Sequence, residues 1–269
     1  MTRLISGALL LVAVVVSLWF FAPVSLLGVA IVVALLAFRE YADISSRAGV
    51  NISRPAAGMA TALACAAVGI PGIPVEAVLA GTTLGLAAVC LAGAMGNKGG
   101  GDSGAGGALF TTAVSVFGPL YIGVPLGLLA ATRWTLGREA TLLLILTVAI
   151  SDTFQYYTGR AFGRHLLAPV VSPKKTVEGA VGGFFGAVLS TAIIGHWWLP
   201  HMTLPARVLL GFAIATVGIV GDLFESLLKR SVGMKDASAV IPGHGGVLDR
   251  IDALLFAAPV YYVFVRYSF

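Results

Sequence analysis

Charge is scarce in this chain. Only 11% of its 269 residues are Asp, Glu, Lys or Arg, and 58% are hydrophobic, against about 25% and 45–50% in an ordinary soluble domain. With a mean hydropathy of +0.96 it lacks the polar surface to coat a water-soluble globule, and it is too apolar to be disordered. Cysteine is nearly absent. Cys65 and Cys90 both lie in apolar runs and fit buried free thiols, and no Cys/His spacing suits zinc. No G-X-Y period organises the 34 glycines, so collagen is excluded and close helix packing in lipid is their expected use. The net charge of +5 would suggest nucleic acid in a soluble protein. In a membrane chain it reads as basic loops on one face, and no nucleic-acid partner is expected.

A helix needs about 20 apolar residues to cross a bilayer. The runs predict an all-α polytopic membrane protein with nine transmembrane helices, roughly over 3–21, 23–40, 55–73, 74–94, 107–131, 138–158, 178–198, 203–230 and 249–267. The first has no A-x-A-like cleavage site after it and is read as a retained span, not a signal peptide. The eighth is long and turns polar, so its end should project beyond the hydrocarbon. Of the 17 basic residues, nine spans leave only Arg133, Arg138, Arg207 and Arg266 on one side. The positive-inside rule then puts the N-terminus and the loops near 41–54, 96–106, 159–177 and 231–248 in the cytoplasm of a bacterial-type inner (plasma) membrane. Trp197, Trp198, His196 and His201 fall at the other face as an interfacial belt. The glycine-rich stretch 96–107 reads as a flexible connector and lacks the P-loop pattern.

The acidic residues are unevenly placed. Glu40, Asp43, Glu76, Asp102 and Glu139 sit near loops and call for nothing beyond solvation, whereas Asp152, Glu178, Asp222, Glu225, Asp236, Asp249 and Asp252 lie together in the last 120 or so residues, several inside apolar segments. An ionisable group at membrane depth is costly and marks function. Asp222 and Glu225 are three apart, as are Asp249 and Asp252, so each pair shares a helix face. Two such faces meeting would bring up to four carboxylates together, an oxygen-only donor set for Mg²⁺ or another hard cation. Ion pairs with Lys229, Arg230 and Arg250 are the plainer alternative.

Basic residues flank these acids. In Ser172-Pro-Lys-Lys-Thr-Val-Glu-Gly179, Lys174, Lys175 and Thr176 stand before an apolar helix, whose N-terminus favours a bound anion. Lys229, Arg230, Lys235 and Arg250 lie on the same membrane side. Carboxylates interleaved with cations fit a polyphosphate carried with Mg²⁺. His244, in Pro242-Gly-His-Gly-Gly246, could shuttle a proton or hydrogen-bond locally in a turn whose glycines, Gly245 and Gly246, let backbone approach phosphate.

The run from Ser226 to Asp252 resembles the signature of the phosphatidate cytidylyltransferase (CDP-diacylglycerol synthase) family, S-x-apolar-K-R, four residues, K-D, then P-x-H-G-G-apolar-x-D-R-apolar-D. Ser172–Gly179 is similar to its S-P-K-K-T-x-E-G motif, and Ser151–Arg160 to its D-T-x-x-Y-x-x-G-R/K motif. The likeness covers about 150–252; the first 140 residues match only in hydropathy. One departure bears on lipid selectivity. Phe154-Gln-Tyr-Tyr157 stands where many members carry Gly-Ala-Tyr-Phe.

The resemblance implies transfer of CMP from CTP to phosphatidic acid, dependence on Mg²⁺ with a second cation such as K⁺, and a homodimer in the lipid bilayer. On this sequence it implies Asp222, Asp249, Asp152, Lys229 and Arg250 as catalytic groups. The metal carboxylates would be Asp222 and Asp249, with Asp252 and Glu225. CTP or lipid phosphate would be held by Ser172, Lys174, Lys175, Thr176, Glu178, Arg230, Lys235, His244, Gly245 and Gly246. Residues 1–140 would then form a scaffold for lipid access and dimer contacts, and 141–269 the catalytic region. Two other functions suit parts of this pattern. A CTP-dependent lipid kinase would release CDP, and a transporter would move substrate across vesicles without nucleotide turnover.

Overall fold

The computed structural model describes residues 16, 19, 20, 22–96, 105–235, 237, 238 and 245–268. Proline marks several helix starts, because at the first helical positions its fixed φ fits and its missing N–H has no partner to lose. So begin α1 (Pro23–Arg47), α2 (Arg54–Gly69) and, after α3 (Val75–Gly96), the altered turn of the next rod. There α4 (Ala105–Gly118) passes through a π-helical turn, Pro119–Gly123, into α5 (Val124–Thr135). Pro119 cannot donate to the preceding turn, and the ladder widens locally to Val124 N–H on the Pro119 carbonyl. Then come α6 (Gly137–Phe162), a short hairpin of β1 (Leu166–Ala168) and β2 (Ser172–Thr176), α7 (Val177–Trp198), α8 (Leu204–Ser231) and α9 (Leu248–Tyr267). The hairpin is antiparallel, Leu166 opposite Thr176 and Ala168 opposite Ser172.

The protein is an all-α polytopic membrane protein. Among the described residues six helices are long and apolar enough to cross a bilayer: Pro23–Arg47, Val75–Met95, Gly107–Thr135, Gly137–Phe162, Val177–Trp198 and Leu204–Ser231. The nine expected spans differ from these in identifiable ways. The stretch 3–21 lies almost wholly outside the described residues. The expected span over 55–73 is a helix of 16 residues, about 24 Å long, which buries Ala57, Ala60, Thr61, Ala64 and Cys65 inside the bundle. The last helix has 20 residues but carries Asp249, Arg250, Asp252 and Arg266. At 28 residues, α8 is about 42 Å long, well over the ~30 Å hydrocarbon core, which leaves its polar last turns outside.

Helices α6, α7, α8 and α9 pack in chain order, and α5 joins α2 to α9. Helix α7 turns its small residues Gly179, Gly182, Gly183 and Gly186 to Phe154, Gln155 and Thr158 of α6, as close helix packing in lipid requires. At the meeting of the two halves lies an aromatic cluster, Phe38, Tyr41, Phe117, Tyr121, Phe224 and Phe256, with neighbouring ring centroids 5.2 to 6.3 Å apart. Both cysteines are free, Cys65 buried and Cys90 partly so.

Candidate active site

The end of α6, the hairpin, the start of α7, the end of α8 and the start of α9 meet at one end of the bundle, and every described candidate residue is there. Thr176 is the N-cap of α7, its Oγ1 accepting from Gly179 N–H at 3.1 Å. The motif before it forms strand β2, and strand alternation separates its lysines. Lys175 turns inward to Asp222, 2.5 Å from Nζ to Oδ2, an ion pair without hydrogen-bond alignment. Lys174 is exposed and Ser172 half-buried. Glu178 closes the base of the hairpin: it accepts from the Arg164 and His165 N–H groups at 3.0 and 3.2 Å and lies 2.6 Å from His165 Nδ1.

The acids fall into two groups. In the first, Asp222 of α8 faces Asp152 of α6 and Asp252 of α9 within electrostatic range, with Lys175 as the cation all three share. Gly221 makes this convergence possible, since a Cβ there would stand 2.6 Å from the Asp252 carbonyl oxygen. In the second, Lys229 bridges Glu225, at 2.5 Å, and Asp249. Asp249 Oδ2 also accepts from Gly246 N–H at 2.8 Å and Ala237 N–H at 3.1 Å. Glu225 is 1% exposed, and its Oε1 has no hydrogen-bond partner among the described residues. The aromatic cluster joins the two helices here: Phe224 of α8, next to Glu225 in the chain, packs against Tyr121 and against Phe256 of α9. Arg230, Lys235 and Arg250 are exposed around them, Arg230 donating to the Met234 carbonyl at 3.2 Å.

The four carboxylates of the two i,i+3 pairs are thus shared out, one of each pair to each lysine. Among the described residues no three His, Cys, Asp or Glu side chains form a ready metal cage. The Asp152, Asp222 and Asp252 group is nonetheless oxygen-only, three carboxylates against one lysine, and that donor chemistry fits a hard divalent cation. His244 and Asp236 lie outside the described residues, as does most of the 96–107 connector.

Glu40 is the residue that sequence reasoning missed. Expected to be solvated near a loop, it is 2% exposed, because α1 continues as a helix to Arg47, past the hydropathy boundary at 40. Its Oε1 accepts from Ser238 Oγ at 2.5 Å and Val247 N–H at 2.9 Å, and its Oε2 from Leu248 N–H at 2.7 Å. The glycine pair serves these contacts. Gly245 has φ +80° and would put a Cβ 2.9 Å from Asp249 Oδ2, and a Cβ on Gly246 would stand 2.5 Å from Glu40 Oε2. What the backbone approaches here is carboxylate. Gly246→Ala should therefore lower stability by about 1–3 kcal/mol, whereas Gly28→Ala, inside α1 with nothing within 4 Å, should not lower it. Thermal melting of both in detergent checks this.

The sequence model of the cytidylyltransferase family matches residues 1–268. This chain belongs to that family. The cytidylyltransferases it is similar to include the phosphatidate cytidylyltransferase of Thermotoga maritima, 45% identical over 133 residues, 47% of this chain and 49% of that protein. That of Aquifex aeolicus is 48% identical over 122 residues, 45% of each chain. An uncharacterised protein of Escherichia coli, YnbB, is 43% identical over 131 residues, 49% of this chain and 44% of its own length. The chain thus spans about half the length of the curated relatives it matches.

Proposed function

We propose that this chain transfers CMP from CTP to phosphatidic acid, giving CDP-diacylglycerol and pyrophosphate. Membership of the cytidylyltransferase family supports nucleotidyl transfer. The observation that carries the reading to a site is the pair of lysine-bridged carboxylate groups at one end of a membrane bundle, rimmed by exposed Lys174, Arg230, Lys235 and Arg250. The N-terminus and this end are assigned to the cytoplasm of the inner membrane on the loop charge bias. CTP then arrives from water and the lipid from the same leaflet.

A lipid phosphate oxygen forms the new bond to the α-phosphorus of CTP. The bond from that phosphorus to the oxygen bridging to the β-phosphate breaks, and pyrophosphate leaves with the electron pair. The attacking group is already an oxyanion at pH 7, so the barrier is one anion approaching another. The exposed cations hold the phosphates against that repulsion. Lys175 is fixed inward where it meets carboxylate and phosphate together, and Lys229 keeps Asp249 in place. Asp222 and Asp252, with Asp152 beside them, would hold Mg²⁺, which supplies Lewis-acid charge neutralisation when bound. In-line positioning supplies the rest.

Purified protein given labelled CTP, phosphatidic acid and Mg²⁺ should yield label in a CDP-lipid with stoichiometric pyrophosphate. CDP release with a phosphorylated lipid would instead indicate a kinase, and substrate flux without nucleotide turnover a transporter.

A further inference from the structure

Helix α9 starts without a side-chain cap of its own: Val247, at the N-cap position, has helical φ and ψ and no oxygen to offer. A helix start leaves several N–H groups without partners. Burying them is costly unless something else accepts. Here the acceptor for the Val247 and Leu248 N–H groups comes from another helix. Glu40 takes the Val247 and Leu248 N–H groups and the Ser238 hydroxyl. Asp249 is the next residue, and its own carboxylate takes Gly246 and Ala237 N–H while holding Lys229. The carboxylate of Glu40 and that of Asp249 therefore grip the same short stretch of backbone from opposite ends, and Ser238 and Ala237 tie the preceding segment to both.

We propose that Glu40, far from the signature motifs in sequence, is a positioning residue for Asp249, acting as the cap of α9 and fixing the first turn on which Asp249 stands. The proposal rests on the phosphatidate cytidylyltransferase reading for its kinetic consequence, though not for its structural one. A carboxylate is suited to the task because it has acceptor sites for three donors and favours the positive end of the helix. An amide in its place turns an N–H₂ toward one of those donors. The first turn of α9 then loosens, and Asp249 loses its fixed place relative to the reacting phosphates, where small misplacements are expensive in rate. Substrate affinity depends on the exposed cations instead and should be little altered.

The test compares full-length wild type, Glu40→Gln, Ser238→Ala and Asp43→Asn in CDP-lipid formation, thermal melting and amide hydrogen exchange. Asp43, half-exposed on the same helix and paired with Arg54 at 2.7 Å, is the control and should retain wild-type turnover. Glu40→Gln should lower kcat at least about tenfold with KM for CTP within about twofold in a protein that still melts cooperatively, a split that a general loss of folding would not give. Turnover within about twofold of wild type in a folded Glu40→Gln protein overturns the proposal. If that variant does not fold, Ser238→Ala decides: a several-fold lower kcat at constant KM supports the proposal and an unchanged kcat sinks it. If the wild type itself makes no CDP-lipid, the reaction is what has failed, and exchange still judges the cap. Faster exchange confined to residues 246–249 in Glu40→Gln upholds it, and unchanged protection there refutes it.

Discussion

Asp249→Asn should reduce CDP-lipid formation by about 10²–10³-fold, the range seen when one preorganised electrostatic group is removed from an active site, while leaving the protein folded and inserted. Retained folding follows from the charge count around Lys229. Two carboxylates, Glu225 and Asp249, face that single ammonium, so neutralising one leaves a balanced Glu225–Lys229 pair and strands no charge. The asparagine oxygen can still accept from Gly246 and Ala237 N–H, the two backbone donors that Asp249 Oδ2 serves. What is lost is the negative charge that holds Lys229 at the first turn of α9. Helical circular dichroism and melting, measured beside turnover, separate the effects. A folded Asp249→Asn protein with wild-type turnover would take Asp249 out of the chemistry.

Much of this is legible in the sequence. Apolar run length gave the bundle, because lipid leaves helices with internally satisfied backbone as one of few solutions. The acids also stood out, since charge is rare enough here for each intramembrane carboxylate to need a reason. Spacing could place Asp222 with Glu225 on one face of α8, but not how α9 is rotated against it. That rotation follows from the contact at Gly221, and it deals one acid of each pair to a different lysine. The strand at Ser172–Thr176 was also hidden, because a five-residue element ending in a helix cap carries too short a pattern to separate from the cap itself.

Glu40 was hidden for another reason. Its partners are backbone N–H groups more than 200 residues away, and neither side of that contact leaves a mark in local sequence. Hydropathy ended the span at the charged pair Arg39-Glu40, where burial continues it. The Phe154–Tyr157 departure acquires a partial account. Phe154 and Gln155 pack on the glycine face of α7, while Tyr156 and Tyr157 are exposed on α6 near Asp152. The tyrosines are the part of this variant that a lipid could touch, and the first pair of residues is the part that the fold uses.

Lys229→Met should be the most damaging single change to stability. Its Nζ lies between Glu225, 1% exposed, and Asp249, both in contact with it. Methionine fills much of the same space, so the loss is mainly of charge. Two carboxylates then face each other in a largely buried site, with no cation between them. Removing one partner from a buried ion pair typically costs about 3–5 kcal/mol, since the other charge is left uncompensated. Added salt should recover little, because buried pairs are poorly screened. Adding Glu225→Gln to Lys229→Met removes one of the two stranded charges and should restore a large part of the lost stability, although turnover stays low in both. Neighbouring changes of this kind are expected to be non-additive. The decisive measurement is the unfolding midpoint of the four proteins of this cycle. If Lys229→Met unfolds where wild type does, the lysine is not what allows two acids to be buried side by side, and the group would have to be held by its backbone donors alone.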